Sequence, residues 1–399
     1  MTGWSQEEIG LGNRQRVLSE ILGAGTISRT QIAERLNLNA ASVSRITRDL
    51  IDARLVQEAD ASKPEARRGP RSKKLMVENS GGFVIGIGIN AFQQMVTLAD
   101  LSNNRIASWD AGQVDPADAQ EFLKVCCRHA EELIGEHVLD RSRLFGVGVT
   151  IAGDLDKARG TVVSAPTLGW LEEVNVCEIV GRELNVPVVL ETPSAAICHS
   201  EVAFGVARDI ENVVTIYCSL GFGVGFQLNG SEYSGVSRTG GLLTEARVTD
   251  GVASNVPVSL SDLCGGTALL RQILSPSDFV SLSDRERARK IWEIVSLADK
   301  GDEKCKAVLE EFGARAASCF SLTLTVLQPE MVLLAGPLAQ SPYYFDAFCS
   351  QIDILKADLQ QSVKIQRSEM TQMGAARLLS LSENIANAKL DLNALKGGK

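Results

Sequence analysis

The fold of the N-terminal region is decided by residues 28–50, SRTQIAERLNLNAASVSRITRDL. Ser28, followed three residues later by Gln31, forms a capping box that predicts the start of a short helix. A turn of about three residues at 37–39 leads to another helix, predicted over about 40–52. The apolar residues of both helices recur three and four apart and are expected to face one core: Ile32, Ala33, Leu36, Val43, Ile46 and Leu50. Two short helices joined by such a turn predict a helix-turn-helix.

The flanking segments extend this motif into a winged domain. A helix is predicted upstream over 13–22, where apolar residues recur at helical spacing until Gly23 ends the run. Downstream, 55–57 and 74–77 are predicted to be two short strands that close a wing. Residues 1–78 are therefore expected to form a winged helix-turn-helix DNA-binding domain.

The outer face of the 40–52 helix carries the side chains expected of a recognition helix. Hydroxyl groups lie at its start and arginines lie one turn later, which suits entry into a major groove by the N-terminal end. Arginine binds guanine bidentately or holds phosphate. The residues predicted to contact DNA are Ser42, Ser44, Arg45 and Arg48.

The segment between the two wing strands, KPEARRGPRSKK at 63–74, is strongly basic. Arginines beside a Gly-Pro pair fit a narrow minor groove, where the negative potential is high. The predicted DNA contacts here are Arg67, Arg68, Gly69, Pro70 and Arg71. The alternative is a basic linker that water merely solvates.

Charge is divided along the chain in the same way. Residues 1–75 hold 13 Lys and Arg against 9 Asp and Glu, whereas the remainder holds 27 against 40. A basic head on an acidic body is expected when one domain touches phosphates and the other does not. The head is therefore predicted to bind a double-stranded DNA operator.

The overall composition excludes several classes of protein. An apolar content of 45% with 22% charged residues does not fit a disordered or low-complexity chain. The longest apolar run, at 83–89, is far shorter than the roughly 20 residues that cross a bilayer, so no membrane association is expected. The start, MTGWSQEEIG, does not resemble a secretory signal. Nine cysteines without a CxxC pair indicate a reducing, cytoplasmic compartment rather than a disulfide scaffold.

The rest of the chain alternates predicted strands with helices, which is typical of α/β layers. The strands are predicted at 83–89, 94–101, 144–151, 186–190, 213–218 and 331–334, and the helices at 117–135, 285–298 and 304–327. Three glycine-bearing tracts, at 146–148, 221–225 and 335–337, are expected to form backbone loops near a ligand cleft.

The sequence resembles the ROK family (repressor, open reading frame, kinase) from about residue 12 to about residue 381. The tracts that carry the resemblance are GVGVTIAGDLD (146–156), SAPTLGW (164–170), LETPSAAICHSEVAFG (190–205), SLGFGVG (219–225) and QPEMVLLAG (328–336). The resemblance implies an α/β fold in which a winged helix-turn-helix precedes a two-lobe, actin-like ATPase (ROK sugar kinase) fold with the ligand in its cleft. The implied domains are an N-terminal lobe at 82–195, a C-terminal lobe at 196–381 and a helical tail at 382–399.

The positions that carry phosphoryl transfer in the family are changed here. The family's first phosphate loop, Asp-x-Gly-Gly-Thr, matches residues 88–92, where both the carboxylate and the hydroxyl are absent. The family's catalytic base, the Asp of Glu-Asn-Asp, matches Pro193, which has no ionisable group. Glu191 is either a replacement base or a salt-bridged carboxylate at a strand end. We therefore expect no catalytic residues, no cofactor and no enzyme activity.

The sugar-binding positions are also altered. Thr167 stands where the family has asparagine, and Thr244 stands where it has the zinc-module histidine. Downstream only Cys264 remains of the cysteine cluster, and one thiol does not hold zinc, so no metal is expected. Gly221, Gly223 and Gly225 are retained, and a need for glycine in the backbone is favoured over nucleotide binding. The predicted ligand-binding residues are Thr167, Gly169, Glu191, Thr192, Gly240 and Thr244.

These observations favour a cytoplasmic transcriptional regulator, expected to be a repressor of carbohydrate-related genes. A sugar or sugar-phosphate effector and a homodimer or homotetramer are implied by the family, and a symmetric dimer suits a pseudo-palindromic operator. The alternatives are an active ATP-dependent sugar kinase and a ligand-independent DNA-binding protein.

Overall fold

The head is a small helical domain held by a three-stranded sheet. We describe it from a computed structural model covering residues 6–59, 73–113, 118–138, 140–235, 246–248, 257–356 and 363–396. The head consists of α1 (Gln6–Ala24), β1 (Ile27–Ser28), α2 (Arg29–Leu36), α3 (Ala40–Asp52), β2 (Val56–Glu58) and β3 (Lys74–Val77). Strand β3 lies between β1 and β2, and both pairings are antiparallel.

The head confirms the predicted helix-turn-helix. The backbone N–H of Gln31 donates to the Ser28 hydroxyl at 3.2 Å, and the N–H of Ser28 donates to the Gln31 side chain at 3.0 Å. These bonds satisfy two orphan donors at the start of α2. The predicted first helix, 13–22, was too short at both ends. Helix α1 begins at Gln6, and it continues through Gly23 to Ala24. The Cα of Gly23 faces the carbonyl of Ala203 so closely that a Cβ would lie 2.5 Å away.

The first lobe is built on a five-stranded sheet ordered β11-β7-β4-β5-β6. Its central strands β4 and β7 are parallel, as are β7 and β11, whereas β4, β5 and β6 form an antiparallel meander. Its elements are β4 (Phe83–Ile89), β5 (Gln94–Asp100), β6 (Arg105–Asp110), α4 (Ala119–His137), β7 (Leu144–Ile151), β8 (Asp154–Asp156), β9 (Thr161–Ser164), β10 (Val174–Asn175), α5 (Val176–Leu184) and β11 (Val188–Glu191). Helix α6 (Pro193–Phe204) then leads towards the second lobe.

The second lobe repeats this plan with a sheet ordered β14-β13-β12-β17-β18. Its elements are β12 (Val213–Cys218), β13 (Phe222–Leu228), β14 (Ser231–Glu232), β15 (Arg247–Val248), β16 (Val258–Ser259), α7 (Leu260–Cys264), α8 (Gly266–Ile273), α9 (Pro276–Ser281), α10 (Asp284–Asp299), α11 (Glu303–Leu327), β17 (Met331–Ala335), α12 (Pro342–Lys356) and β18 (Lys364–Arg367). Helix α13 (Gln372–Leu381), a π-helical turn (Ser382–Ala386) and α14 (Leu392–Lys396) follow. Among the described helices, none combines the length and apolar character that a membrane span requires.

Helix α13 crosses back to the first lobe and lies on β4 and β7. The contact is made over glycines: a Cβ on Gly148 would lie 1.9 Å from the Ala376 carbonyl oxygen, and one on Gly88 would lie 1.8 Å from Met373. The prediction that 146–148 form a loop near a ligand was therefore wrong. These residues lie inside β7, and the absence of a side chain at Gly148 allows helix α13, rather than a phosphate, to pack there.

Head, first lobe and tail share one hydrophobic core. It joins head residues such as Ile21 and Leu50 to Phe145 of the first lobe and to Ile385 and Leu392 of the tail. The buried guanidinium of Arg143 spans the same three parts, donating to the carbonyls of Ala53 (2.8 Å), Gly81 (3.1 Å) and Leu395 (2.7 Å). The tail, to which the sequence assigned no role, therefore fastens the head to the body.

Replacing Gly148 by Ala should destabilise the protein by about 1–3 kcal/mol, because the added methyl group has no room beneath α13. Gly135→Ala is the matched control: no atom lies within 4 Å of its Cβ position in α4, and alanine favours a helix by up to about 1 kcal/mol. Urea unfolding followed by circular dichroism measures both changes. Equal stability of the two variants would contradict the close packing.

Candidate functional site

A cleft of about 100 Å³ lies between the two lobes. The parallel strands β4, β7 and β11 end at its first-lobe side, and the turn between β12 and β13 forms its second-lobe side. Ligands of open α/β sheets bind at such carboxyl ends of strands. The lining includes Asp154, Lys157, Thr167, Glu191, Thr192, Ser194, Gly223, Gly225 and Glu232.

The position of the family's catalytic base now starts a helix. Pro193 is the first residue of α6, where its missing N–H costs nothing. The hydroxyl of Thr192 caps this helix by accepting the N–H of Ala195 at 3.3 Å. Thr192 therefore lines the cleft, but its oxygen is already engaged, and Pro193 supplies neither a proton acceptor nor a donor.

Glu191 is buried at the end of β11 and ion-paired with Lys157. Its carboxylate also accepts the N–H of Thr192 at 2.7 Å. Burial raises the pKa of Glu191 above its usual value, while the Lys157 ammonium opposes that rise. The structure thus supports the salt-bridged interpretation of this residue over that of a free base.

Lys157 also bonds to Glu232 across the cleft, with 3.0 Å between Nζ and Oε1. Burial acts to lower the pKa of Lys157, but the carboxylates of Glu191 and Glu232 outweigh it and raise that pKa. Lys157 therefore carries its charge and links the first lobe to the second. Sequence reasoning missed both partners, because residues this far apart in the chain carry no local pattern that pairs them.

Asp154, on β8, lines the cleft and carries a hydrogen-bond acceptor to which no described residue donates. Its Oδ1 atom is buried and has no hydrogen-bond partner among the described residues. Thr167 is half-buried and lines the same cleft, and its ligand-binding role stays a prediction. Gly169 is exposed and lies outside the lining, because it starts a short 3-10 turn whose neighbour Trp170 packs on Phe122.

The former phosphate loop is closed by its own side chain. The carboxamide oxygen of Asn90 accepts the backbone N–H groups of Phe92 and Gln93, each at 2.7 Å. The amide nitrogen of Asn90 donates to Gln372 of α13, which in turn donates to the Thr150 carbonyl at 3.0 Å. Two N–H groups of this loop are thus already occupied. A groove of about 790 Å³ remains beyond it, between the loop and Trp292.

The retained glycines of the second loop have a packing role. A Cβ on Gly225 would lie 2.5 Å from the Ser194 carbonyl oxygen, and one on Gly223 would lie 2.9 Å from the Ser194 hydroxyl. Both glycines have ordinary backbone angles, so their requirement comes from the approach of α6 rather than from a left-handed turn. The expectation from the sequence, a tight strand–turn that needs glycine, was therefore wrong for Gly223 and Gly225, which lie within β13.

Gly240 and Thr244 lie outside the described residues, so their predicted ligand role stays a prediction. Cys264 is buried, and its thiol donates to the Leu260 carbonyl oxygen at 3.5 Å. In the part of the chain that the structure describes, no group of three or more His, Cys, Asp or Glu side chains is arranged to hold a metal ion.

The face of α3 that is predicted to contact DNA is exposed. Arg45 and Arg48 point to solvent, and neither makes a hydrogen bond or an ion pair with another described residue. Ser42 and Ser44 are half-buried beside them, and Asn39 caps the helix by accepting the Ser42 N–H at 2.7 Å. The predicted minor-groove residues Arg67, Arg68, Gly69, Pro70 and Arg71 lie outside the described residues.

Comparison with known proteins matches both parts of the chain. The ROK family model matches residues 119–379, and a model described as winged helix-turn-helix DNA-binding matches residues 12–57. The xylose repressor of Bacillus subtilis (strain 168) is 23% identical over 95% of this chain and 96% of its own.

Solved structures share the fold at low identity. A crystal structure of a ROK family transcriptional regulator, described as a homolog of the Escherichia coli MLC protein, has a TM-score of 0.71 at 21% identity and covers 98% of this chain and 100% of that one. A ROK family glucokinase from Streptomyces griseus, in complex with glucose and AMPPNP, has a TM-score of 0.60 at 17% identity over 75% of this chain and 99% of that one. The kinase matches a smaller share of the chain than the regulator does.

Proposed function

The chain belongs to the ROK family, and on that premise we propose that it is a DNA-binding transcriptional repressor of carbohydrate-related genes with a sugar-sensing body. The observation that carries the proposal is the union of a winged helix-turn-helix with a ROK body in one chain, matched along nearly its whole length by a xylose repressor. Arg45 and Arg48 on α3 supply the free guanidinium groups that base reading requires.

The body has lost the groups that transfer phosphate. Pro193 replaces the proton acceptor, and the Asn90 carboxamide occupies the N–H groups of the loop that would hold phosphate. Glu191 is bound by Lys157 and by the Thr192 N–H, so it is not free to accept a substrate proton. We propose that the interlobe cleft is kept for recognition rather than catalysis.

A single head makes few base contacts, so we propose that a symmetric dimer binds a pseudo-palindromic site. A ligand regulates such a dimer only if its affinity differs between the DNA-competent arrangement and another one. The head packs on the body through the shared hydrophobic core and the hydrogen bonds of Arg143. A change in the conformation of the body would therefore change the spacing of the two heads in the dimer.

Replacing Arg45 by Ala should weaken discrimination at one base pair by about 1–3 kcal/mol, because a bidentate base contact is lost. Changing both Arg68 and Arg71 to Ala should instead weaken binding to all sequences and flatten its salt dependence. An operator is first selected from random duplexes, and fluorescence anisotropy then measures its affinity, with two chains expected per site. Arg159→Ala, at an exposed position on the body, is the control. Parental binding by both head variants would refute the assignment of the recognition surface.

We expect the purified protein to release no ADP from ATP above background with hexoses, pentoses or amino sugars. The reason is the absent base at Pro193 together with the occupied loop at Asn90. A coupled ADP-release assay measures this, with an active ROK kinase as the positive control. Turnover that disappears in Glu191→Gln would show that Glu191 serves as a base and would establish the kinase alternative.

A further inference from the structure

We propose that the interlobe cleft takes an uncharged, hydroxyl-rich ligand and rejects its phosphorylated form, with Asp154 as the principal acceptor. The proposal rests on the sensor role inferred above and specifies the chemical class of the effector. It is carried by the charges of the cleft and by the reduced supply of free donors for phosphate at three places: Lys157, the Asn90 loop and the start of α6.

The first such group is the ammonium of Lys157. It is the only cation among the described residues that line the cleft, whereas Asp154, Glu191 and Glu232 are anions. Two of those carboxylates already bind it, at 3.0 Å in the case of Glu232. A phosphate entering here would meet three carboxylates and a cation that is already neutralised.

The second and third groups are backbone N–H donors. Those of Phe92 and Gln93 bind the Asn90 side chain, so the former phosphate loop is satisfied from within. The N-terminus of α6 also faces the cleft, but Thr192 caps it and Pro193 removes one N–H. Anion binding at a helix start needs free N–H groups, and these are reduced here.

Asp154 provides the opposite feature, an acceptor without a donor. A buried carboxylate oxygen left unpaired costs free energy, and a ligand hydroxyl would remove that cost. Thr167 lines the same cleft and offers both a donor and an acceptor. The cleft therefore favours a ligand with hydrogen-bond donors, and the hydroxyl groups of an unphosphorylated sugar are such donors.

The test uses the full chain and matched pairs of probes: glucose with glucose 6-phosphate, N-acetylglucosamine with its 6-phosphate, and xylose with xylose 5-phosphate. Thermal shift and calorimetry should detect binding of at least one unphosphorylated member, with the phosphorylated partner bound about tenfold more weakly or worse. Asp154→Ala should lower the affinity for the bound sugar about tenfold or more, and Asp154→Asn provides a variant of equal size. Asp156→Ala is the control, because Asp156 pairs with Arg159 and does not line the cleft.

Tighter binding of a phosphorylated member would overturn the proposal, as would parental affinity in both Asp154 variants or the failure of every probe to bind. Operator binding is measured on the same preparations. Loss of DNA binding in the parent would count against the repressor function itself, so the two failures are distinguishable.

A second observation, independent of the cleft's charge, concerns helix α6. We infer that α6 conveys the state of the cleft to the DNA-binding head. Its 12 residues span about 18 Å, from a start at the cleft to an end at the head. Both ends are packed, so the helix acts as a rod between them.

At the cleft end, Ser194 packs against Gly223 and Gly225 of the second lobe. At the other end, Phe204 joins the hydrophobic core of the head. Gly23 of α1 lies directly against the last turn of α6, at the Ala203 carbonyl.

An ion-pair relay reinforces the head contact. Arg208, just after α6, donates to Glu20 of α1 at 3.1 Å, and Glu20 also accepts from Arg35 of α2 at 2.7 Å. The side chains of Arg208 and Glu20 are only 21% and 14% exposed, so this pair is less screened than a surface pair. Movement of α6 would therefore displace α1 and α2, the two helices that pack beside α3.

A double-mutant cycle tests this route without a ligand. Lys157→Met removes the cross-cleft bond to Glu232, and Arg208→Met removes the bond to Glu20. We expect Lys157→Met to change the operator Kd by about threefold or more in the parent, and to change it less when Arg208→Met is also present. Arg159→Met replaces Lys157→Met in a control cycle, and Lys157→Arg retains the charge should Lys157→Met unfold. Additive effects, or no effect of Lys157→Met alone, would overturn the inference.

Discussion

The structure depends on how closely α13 lies on the first-lobe sheet. Because Gly148 on β7 has no Cβ, the backbone of α13 approaches that strand closely at Ala376, and Gly88 on β4 leaves room for the side chain of Met373. From that position α13 does three things at once. Gln372 at its start holds the Asn90 loop, its middle contacts α6, and its continuation carries the tail to the head. Helix α13 and the tail that follows it thus connect the interlobe cleft, helix α6 and the head.

The same two-lobe fold is found in a ROK family transcriptional regulator and in a ROK family glucokinase. Phosphoryl transfer needs open backbone donors and a proton acceptor. At the matching positions of this chain, the Asn90 side chain accepts two N–H groups of its own loop, and Pro193 begins a helix in its preferred position. The cleft between the lobes is crossed by the bond between Lys157 and Glu232.

A head that hung from a flexible linker could not report the state of such a cleft. In this protein the guanidinium of Arg143 bonds to the carbonyls of Ala53, Gly81 and Leu395, and burial lowers its pKa. Removing it would leave three carbonyls from three parts of the chain without this donor, which makes the junction specific as well as apolar. The tail adds Lys396, which lies 3.6 Å from Asp49 and 3.8 Å from Asp52 on the back of α3.

Local pattern alone predicted the head, the alternation of strands and helices, and a proline at the position matched to the family's catalytic base. Capping boxes, apolar spacing and a proline are properties of neighbouring residues, so α3 was predicted over the range at which it is found. Only the tertiary structure decided what the glycines of β7 face, which cation meets Glu191, and where the tail lies. Each of those depends on residues distant in the chain: Gly148 with Ala376, Lys157 with Glu191 and Glu232, and Arg143 with Leu395. Such contacts leave no periodic trace in a single sequence, because nothing in the spacing of one partner specifies the other.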